Sequence, residues 1–175
     1  MYICNGILAA VLSSTLVYAQ TTPVPETTRV RLVKEIRHEL VTLPYLDVFD
    51  DINFQIDGGT ITLLGQVTRP TLKTEAENVV KELEGVTNVV NRIEVLPLSP
   101  NDDRLRRALY RAIYGSSTLF RYAMPVIKPI RIIVKNGNVA LEGVVDTQSD
   151  KDMAGLRAKG VSGGFAVVNN LRVEK

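Results

Sequence analysis

An internal repeat is the feature of this 175-residue chain that most restricts its fold. When the sequence is shifted by 78 positions and compared with itself, matching residue types recur over more than forty residues without a gap. Matched pairs include Leu63 and Leu141, Gly65 and Gly143, Val67 and Val145, Val90 and Val168, and Asn91 and Asn169. A register kept over this length predicts a duplicated structural unit.

Both copies show the same order of hydrophobic patterns. A helical apolar period comes first, and two alternating strands joined by a Gly-containing turn follow it. A second helix and a final strand close each copy. The predicted strands lie at about 52–57, 60–67 and 88–95, then at 130–135, 138–145 and 166–173, and the second helices at 70–83 and 148–160. The sequence therefore predicts an α+β fold of two tandem α-β-β-α-β domains, each a three-stranded mixed sheet with two helices on one face.

The domains are expected at 27–97 and 98–175, because the proline-containing stretch "PLSPND" at 97–102 separates the copies. Gly65 and Gly143 come late in the second strands, where a missing side chain lets another backbone approach closely. Gly155, inside the second helix of the second copy, predicts a short or frayed helix.

Residues 1–19 carry no charged side chain and end in Val17-Tyr18-Ala19, a pattern typical of a signal peptide cleaved near Ala19. An uncleaved membrane anchor is the alternative. Residues 20–26 are then a short tether before the first domain. The only cysteine, Cys4, lies in the leader, so the exported chain could form no disulfide or thiolate metal site.

The chain shows no pattern of an enzyme or a metal site. His38 is its only histidine and is expected on the water-facing side of the first helix. The acidic run at Asp47, Asp50 and Asp51 lacks the spacing of a calcium loop and is interpreted as a solvated loop. No nucleophile has a base beside it. We therefore expect no catalytic residues, no metal and no cofactor.

The duplicated strings resemble the BON domain, the family of osmotically induced periplasmic and nodulation proteins. The resemblance covers about 27–175 and rests on the Asn136-Gly137 turn, the spacing of Gly143 and Val145, and the closing Val-x-Asn-x-Leu-x-Val at 167–173. It implies a non-catalytic envelope protein that associates with phospholipid membranes. The expected location is the periplasm, peripheral to a membrane.

The two copies differ in charge. Residues 27–98 hold 8 Lys and Arg against 11 Asp and Glu, whereas residues 99–175 hold 13 against 7. On a helical wheel, "DDRLRRALYRAIY" places Arg106, Arg107, Tyr110, Arg111 and Tyr114 on one side, away from the apolar stripe. Arginine attracts lipid phosphate, and tyrosine suits the headgroup region.

The second copy is therefore predicted to contact an anionic phospholipid surface. The expected lipid-binding residues are Arg104, Arg107, Tyr110, Arg111, Tyr114, Phe120, Arg121 and Tyr122. One alternative is a solvated basic helix whose tyrosines pack on the first copy. Another is a periplasmic protein-interaction or chaperone-like stress module whose partners are envelope proteins. Nucleic acid is disfavoured as a partner by export and by the acidic first copy.

Overall fold

The computed structural model describes residues 26–161 and 166–174. The predicted signal peptide at 1–19 and nearly all of the tether lie outside these ranges. Within them, no helix is both long and apolar enough to cross a membrane.

The two repeats have the predicted element order. The first contains α1 (Glu26–Val41), β1 (Asp51–Asp57), β2 (Thr60–Val67), α2 (Pro70–Lys81), β3 (Asn88–Asn91) and β4 (Glu94–Val95). The second contains α3 (Pro100–Tyr114), a short 3-10 helix (Phe120–Ala123), β5 (Ile130–Lys135), β6 (Asn138–Val145), α4 (Gln148–Val161), β7 (Val167–Asn169) and β8 (Arg172–Val173). The predicted fold class of two tandem α+β units is confirmed.

Each sheet is mixed and has its central strand in the same place. β1 and β5 pair antiparallel with β2 and β6, and the closing strands pair parallel with β2 and β6 on the other side. The predicted third strand of each repeat is interrupted, so that it forms two short segments, β3 with β4 and β7 with β8, on the same edge of the central strand.

An asparagine explains the interruption and its recurrence in both repeats. The Asn91 side-chain amide donates to the carbonyl of Lys73 on α2 at 2.8 Å, and its oxygen accepts from the Ile93 amide at 3.1 Å. Asn169 makes the same pair of bonds to Lys151 and Leu171. The side chain thus joins the last strand to the second helix at the point where the strand breaks.

The repeated glycines allow close backbone contact, as predicted. A Cβ on Gly65 would lie 2.1 Å from the Asp51 carbonyl oxygen, and one on Gly143 would lie 1.9 Å from that of Pro129. Both glycines also have positive φ, at 117° and 113°. No other residue type meets both requirements at low cost.

The helices of each repeat cover one face of its sheet. In the first repeat the buried positions Ile61, Leu63 and Val67 of β2 share a core with residues of both helices. In β1 the exposed positions alternate with partly buried ones and point to the other face of the sheet. A second core, around Leu109, Ile113, Ile132 and Leu141, is built in the same way. The apolar periods read in the sequence are thus the core faces.

One local prediction, that of a short or frayed second helix at Gly155, is wrong. α4 runs unbroken through Gly155. The missing side chain makes room for the Asn169 amide, which would lie 2.8 Å from a Cβ there. The N-cap of α3 is Ser99. The Ser99 hydroxyl accepts from the Asp102 amide at 3.2 Å, and Pro100 occupies the first turn.

Candidate functional site

The outer side of α3 carries the exposed cations that the sequence predicts. Arg104, Arg107 and Arg111 are all exposed, while Leu109 and Ile113 on the other side of the helix are fully buried. Asp102 fixes the start of the helix on its own sheet, since its carboxylate accepts from the amides of Asn136 and Gly137 at 2.8 and 2.9 Å. The helix therefore presents its arginines from a rigid base.

Arg106 does not belong to this face. Its side chain is buried, and its guanidinium donates to the Val134 carbonyl at 2.6 Å and pairs with Asp103 at 2.6 Å. The Val134 carbonyl lies on the outer edge of β5, where no strand of the described residues pairs with it. Arg106 thus satisfies an edge group that would otherwise be unpaired.

Tyr114 is also absent from the outer face, and its prediction as an exposed residue is wrong. The side chain is only 3% exposed, its hydroxyl donates to the Ile130 carbonyl, and it accepts from the Ile130 amide at 3.2 Å. Burial raises the pKa of Tyr114 well above its usual value. Tyr114 closes the last turn of α3 onto the start of β5.

Tyr110 is half-buried and contacts the first repeat. Its ring meets Phe49 edge to face, with ring centroids 6.4 Å apart, and lies 5.0 Å from the Tyr114 ring. For this residue the structure matches the alternative in which the tyrosines pack on the first copy. The aromatic part of the predicted lipid face is therefore largely occupied within the protein.

The segment around 47–51 is not a solvated loop, contrary to prediction. Val48, although it belongs to the first repeat, is 3% exposed and sits in the core of the second. Its carbonyl accepts from the Ile132 amide at 2.9 Å, on the free edge of β5. Asp50 is buried as well, and its carboxylate accepts from the Thr68 amide at 2.6 Å and from the Thr68 hydroxyl at 2.8 Å.

The uncovered sheet faces also meet across the two repeats. Lys135 pairs with Glu94, and the Arg131 guanidinium donates to the Asp47 carbonyl at 3.0 Å. Burial, together with the nearby charge of Glu142, raises the pKa of Asp51. The two repeats are therefore packed on each other.

The connection between α3 and β5 is held by a buried polar cluster. Tyr122, predicted to face lipid, is 5% exposed. Its hydroxyl donates to the Asp150 carboxylate at 3.0 Å and accepts from the Asp146 amide at 2.8 Å. Arg121 pairs with Asp146 at 3.1 Å and with Asp150. The Arg121 guanidinium is thus engaged, although its side chain remains half-exposed.

Asp150 is ionised in this cluster. Burial acts to raise the pKa of Asp150, but hydrogen bonds from Thr147 and Tyr122 and the charge of Arg121 together outweigh burial and lower it. The connection 115–129 is consequently anchored to the start of α4 by a charged side chain rather than by apolar packing alone.

A cleft between the repeats is lined by three cations. Its lining comprises Asp47, Val48, Phe49, Arg107, Tyr110, Arg111 and Lys128. Arg107 and Arg111 form no ion pair with any residue in the described ranges. Lys128 lies 17 positions after Arg111, and no local pattern in the sequence indicates that it joins them.

The described residues contain no group of three or more His, Cys, Asp or Glu side chains placed to hold a metal ion. His38 is exposed on α1, as its helical position predicts. The inter-repeat cleft places cations beside a partly apolar surface, an arrangement suited to binding.

Comparison with known proteins agrees with the duplicated architecture. The BON domain model matches twice, at residues 29–97 and 101–175. The chain belongs to the BON-domain family. This BON protein is also similar to osmotically-inducible protein Y of Escherichia coli strain K12, with 28% identity over 127 residues. The similarity covers 71% of this chain and 62% of the length of that relative.

Two solved structures of CdsD, a structural protein of the type III secretion system of Chlamydia trachomatis, resemble the BON protein distantly. Both are 14% identical and cover 83% of this chain, with 98% and 94% of their own chains covered. Their TM-scores are 0.33 and 0.31, so the likeness supports no functional argument.

Proposed function

We propose that this BON-domain protein is a non-catalytic, stress-related protein of the cell envelope that binds anionic phospholipid peripherally through its second repeat. The similarity to an osmotically inducible protein supports the envelope and stress assignments. The signal-like leader supports export to the periplasm.

The observation that carries the lipid assignment is the set of cations at the inter-repeat cleft, of which Arg107 and Arg111 form no ion pair within the described residues. Arg107 and Arg111 are exposed on a rigid helix, and Lys128 lines the same cleft. Each basic residue near an anionic bilayer contributes about 1 kcal/mol of attraction. Arg104 adds a further exposed cation one turn earlier on α3. The attraction is thus supplied by the arginines, with little aid from Tyr110.

The first prediction concerns the double variant Arg107→Glu, Arg111→Glu. Replacing two attractions by two repulsions removes about 4 kcal/mol, which corresponds to a roughly thousandfold weaker partition onto phosphatidylglycerol vesicles. Flotation of the chain with vesicles of increasing phosphatidylglycerol content measures the effect. Wild-type binding is expected to weaken as the salt concentration rises, because salt screens exposed charges.

The matched control is Lys34→Glu, Arg37→Glu on α1 of the first repeat, where both side chains are exposed. Arg31 is unsuitable, since it pairs with Glu35 and Glu84. All variants keep the same residues 1–25, so any contribution of that segment is common to them. Equal flotation of the two double variants would contradict the proposal. Binding to a protein partner that persists without lipid and survives both would favour the interaction-module alternative.

A further inference from the structure

The connection between α3 and β5 exposes an unusual concentration of large apolar side chains. Phe120 is 56% exposed, Met124 71%, Val126 98% and Ile127 45%. Elsewhere in residues 26–161 and 166–174, no eight-residue stretch exposes more than one such side chain. Residues 124–127 are called the apolar tip below.

The apolar tip is not required by the fold. In the first repeat the connection between the first helix and the first strand has nine residues, 42–50, whereas the second repeat uses fifteen, 115–129. The shorter connection buries Leu43 and Val48 and exposes one large apolar side chain, that of Tyr45. The second repeat also buries Leu119 and Tyr122 from its connection. The tip is the part that remains after this packing is complete.

The base of the tip is fixed. The bonds of Arg121 and Tyr122 to Asp146 and Asp150 hold the preceding 3-10 helix against the start of α4. On the following side, the Lys128 ammonium donates to the Ala123 carbonyl at 3.4 Å, which joins the two ends of the tip. A surface that is ordered before binding loses less conformational entropy when it binds.

The charge around the tip indicates what it meets. Residues 115–129 contain no carboxylate and two cations, Lys128 and Arg121, of which Arg121 is paired with Asp146 and Asp150. Lys128 brings the tip beside Arg107 and Arg111, since all three line one cleft. An apolar projection flanked by cations matches an anionic bilayer surface, where phosphate lies above the acyl chains.

We propose that the apolar tip inserts into the headgroup and acyl boundary of an anionic bilayer while Arg107, Arg111 and Lys128 hold lipid phosphates around it. This inference rests on the proposed function and deepens it. It assigns depth of contact to Met124, Val126 and Ile127, and leaves long-range attraction to the arginines.

The absence of tryptophan from the chain allows a local test in the full-length protein. In Val126→Trp, we expect the fluorescence to move to shorter wavelength on phosphatidylglycerol vesicles and to be quenched by brominated acyl chains. Leu156→Trp is the control, because Leu156 is 65% exposed on α4, outside the tip. Its emission should be unchanged. Equal emission shifts and equal quenching of the two tryptophans would overturn the inference. It would also be overturned if the Val126→Trp emission already lay at short wavelength without vesicles, because the side chain would then be buried within the protein.

A second variant measures what insertion contributes. Replacing Met124, Val126 and Ile127 together by Ser should weaken vesicle partition about tenfold or more. The reason is that transfer of each apolar side chain out of water contributes favourable free energy to binding. The urea midpoint should stay near wild type because these side chains are exposed. If the Ser variant and wild type float equally while Arg107→Glu, Arg111→Glu does not float, the tip is not inserted and the proposed function stands. If wild type itself does not float, both fail.

Discussion

Arg106 and Arg107 are neighbours in the chain but have opposite environments. Arg106 is buried and donates to a strand-edge carbonyl, whereas Arg107 lies exposed at the cleft. An arginine with its hydrogen bonds made inside the protein contributes to folding, and one that is free contributes to binding. The difference depends on the free edge of β5, which lies 28 residues away in sequence.

A second prediction concerns Gly143. Gly143→Ala should lower the free energy of unfolding by about 1–3 kcal/mol, because the residue has positive φ and the new methyl group would collide with the Pro129 carbonyl. Gly160→Ala is the control, since a Cβ at Gly160 meets nothing within 4 Å. It should be neutral or slightly stabilising. Urea denaturation measures both, and equal losses would contradict this account.

The two helix-to-strand connections each supply an acceptor for a backbone amide that follows the second strand of the repeat, but they use different side chains. Thr68 and Asp146 occupy equivalent positions after β2 and β6, and each leaves a backbone amide to satisfy. The Asp50 carboxylate accepts from Thr68 in the first repeat, and the Tyr122 hydroxyl accepts from Asp146 in the second. Tyr122 therefore has a structural role. This role explains why Tyr122 is buried although Phe120, two positions earlier, is exposed.

A third prediction concerns Asp150, whose pKa is lowered in the folded protein. A lowered carboxyl pKa stabilises the fold above the ordinary value of 3.8, and this stabilisation is lost as the pH falls through the folded value. Asp150→Asn should thus cost about 1–3 kcal/mol of unfolding free energy at pH 7. The difference in unfolding free energy between Asp150→Asn and wild type should become smaller below pH 3.8.

Urea denaturation at pH 7 and at lower pH tests this behaviour. The control is Asp152→Asn, because Asp152 is exposed on the same helix. A gap that is independent of pH would show that Asp150 acts by shape rather than by charge.

Across the whole molecule, the first repeat completes the second. Val48 fills a place in the core of the second repeat, and its carbonyl covers part of the open edge of β5. A strand edge with unpaired amides is a template for wrong pairing, so this contact also protects the sheet. The repeats are consequently coupled in stability as well as in position.

Val48→Ala supplies the fourth prediction. Loss of two buried methyl groups should lower the free energy of unfolding by about 1.5–3 kcal/mol. Amide hydrogen exchange should accelerate in β5, although the substitution lies in the other repeat. Val30→Ala, at a 47% exposed position on α1, should change neither quantity. Unchanged exchange at Ile132 in Val48→Ala would contradict the coupling.

Local physics determined much of this protein from sequence alone. The two α-β-β-α-β units, the hairpin turns and the close-approach glycines follow from periodicity and backbone conformation, which depend on nearby residues. The exposure of Arg104, Arg107 and Arg111 follows from helical geometry in the same way.

Only the tertiary structure decided which neighbours of those arginines are available. A helical wheel gives the direction of a side chain but not what packs against it. Tyr114 and Tyr122 are buried by backbone groups of β5 and of the turn before α4. Tyr110 meets Phe49 of the other repeat. Val48 bonds to Ile132, and Lys128 lines the same cleft as Arg107 and Arg111. Both contacts join residues that are distant in sequence, and no local pattern encodes them.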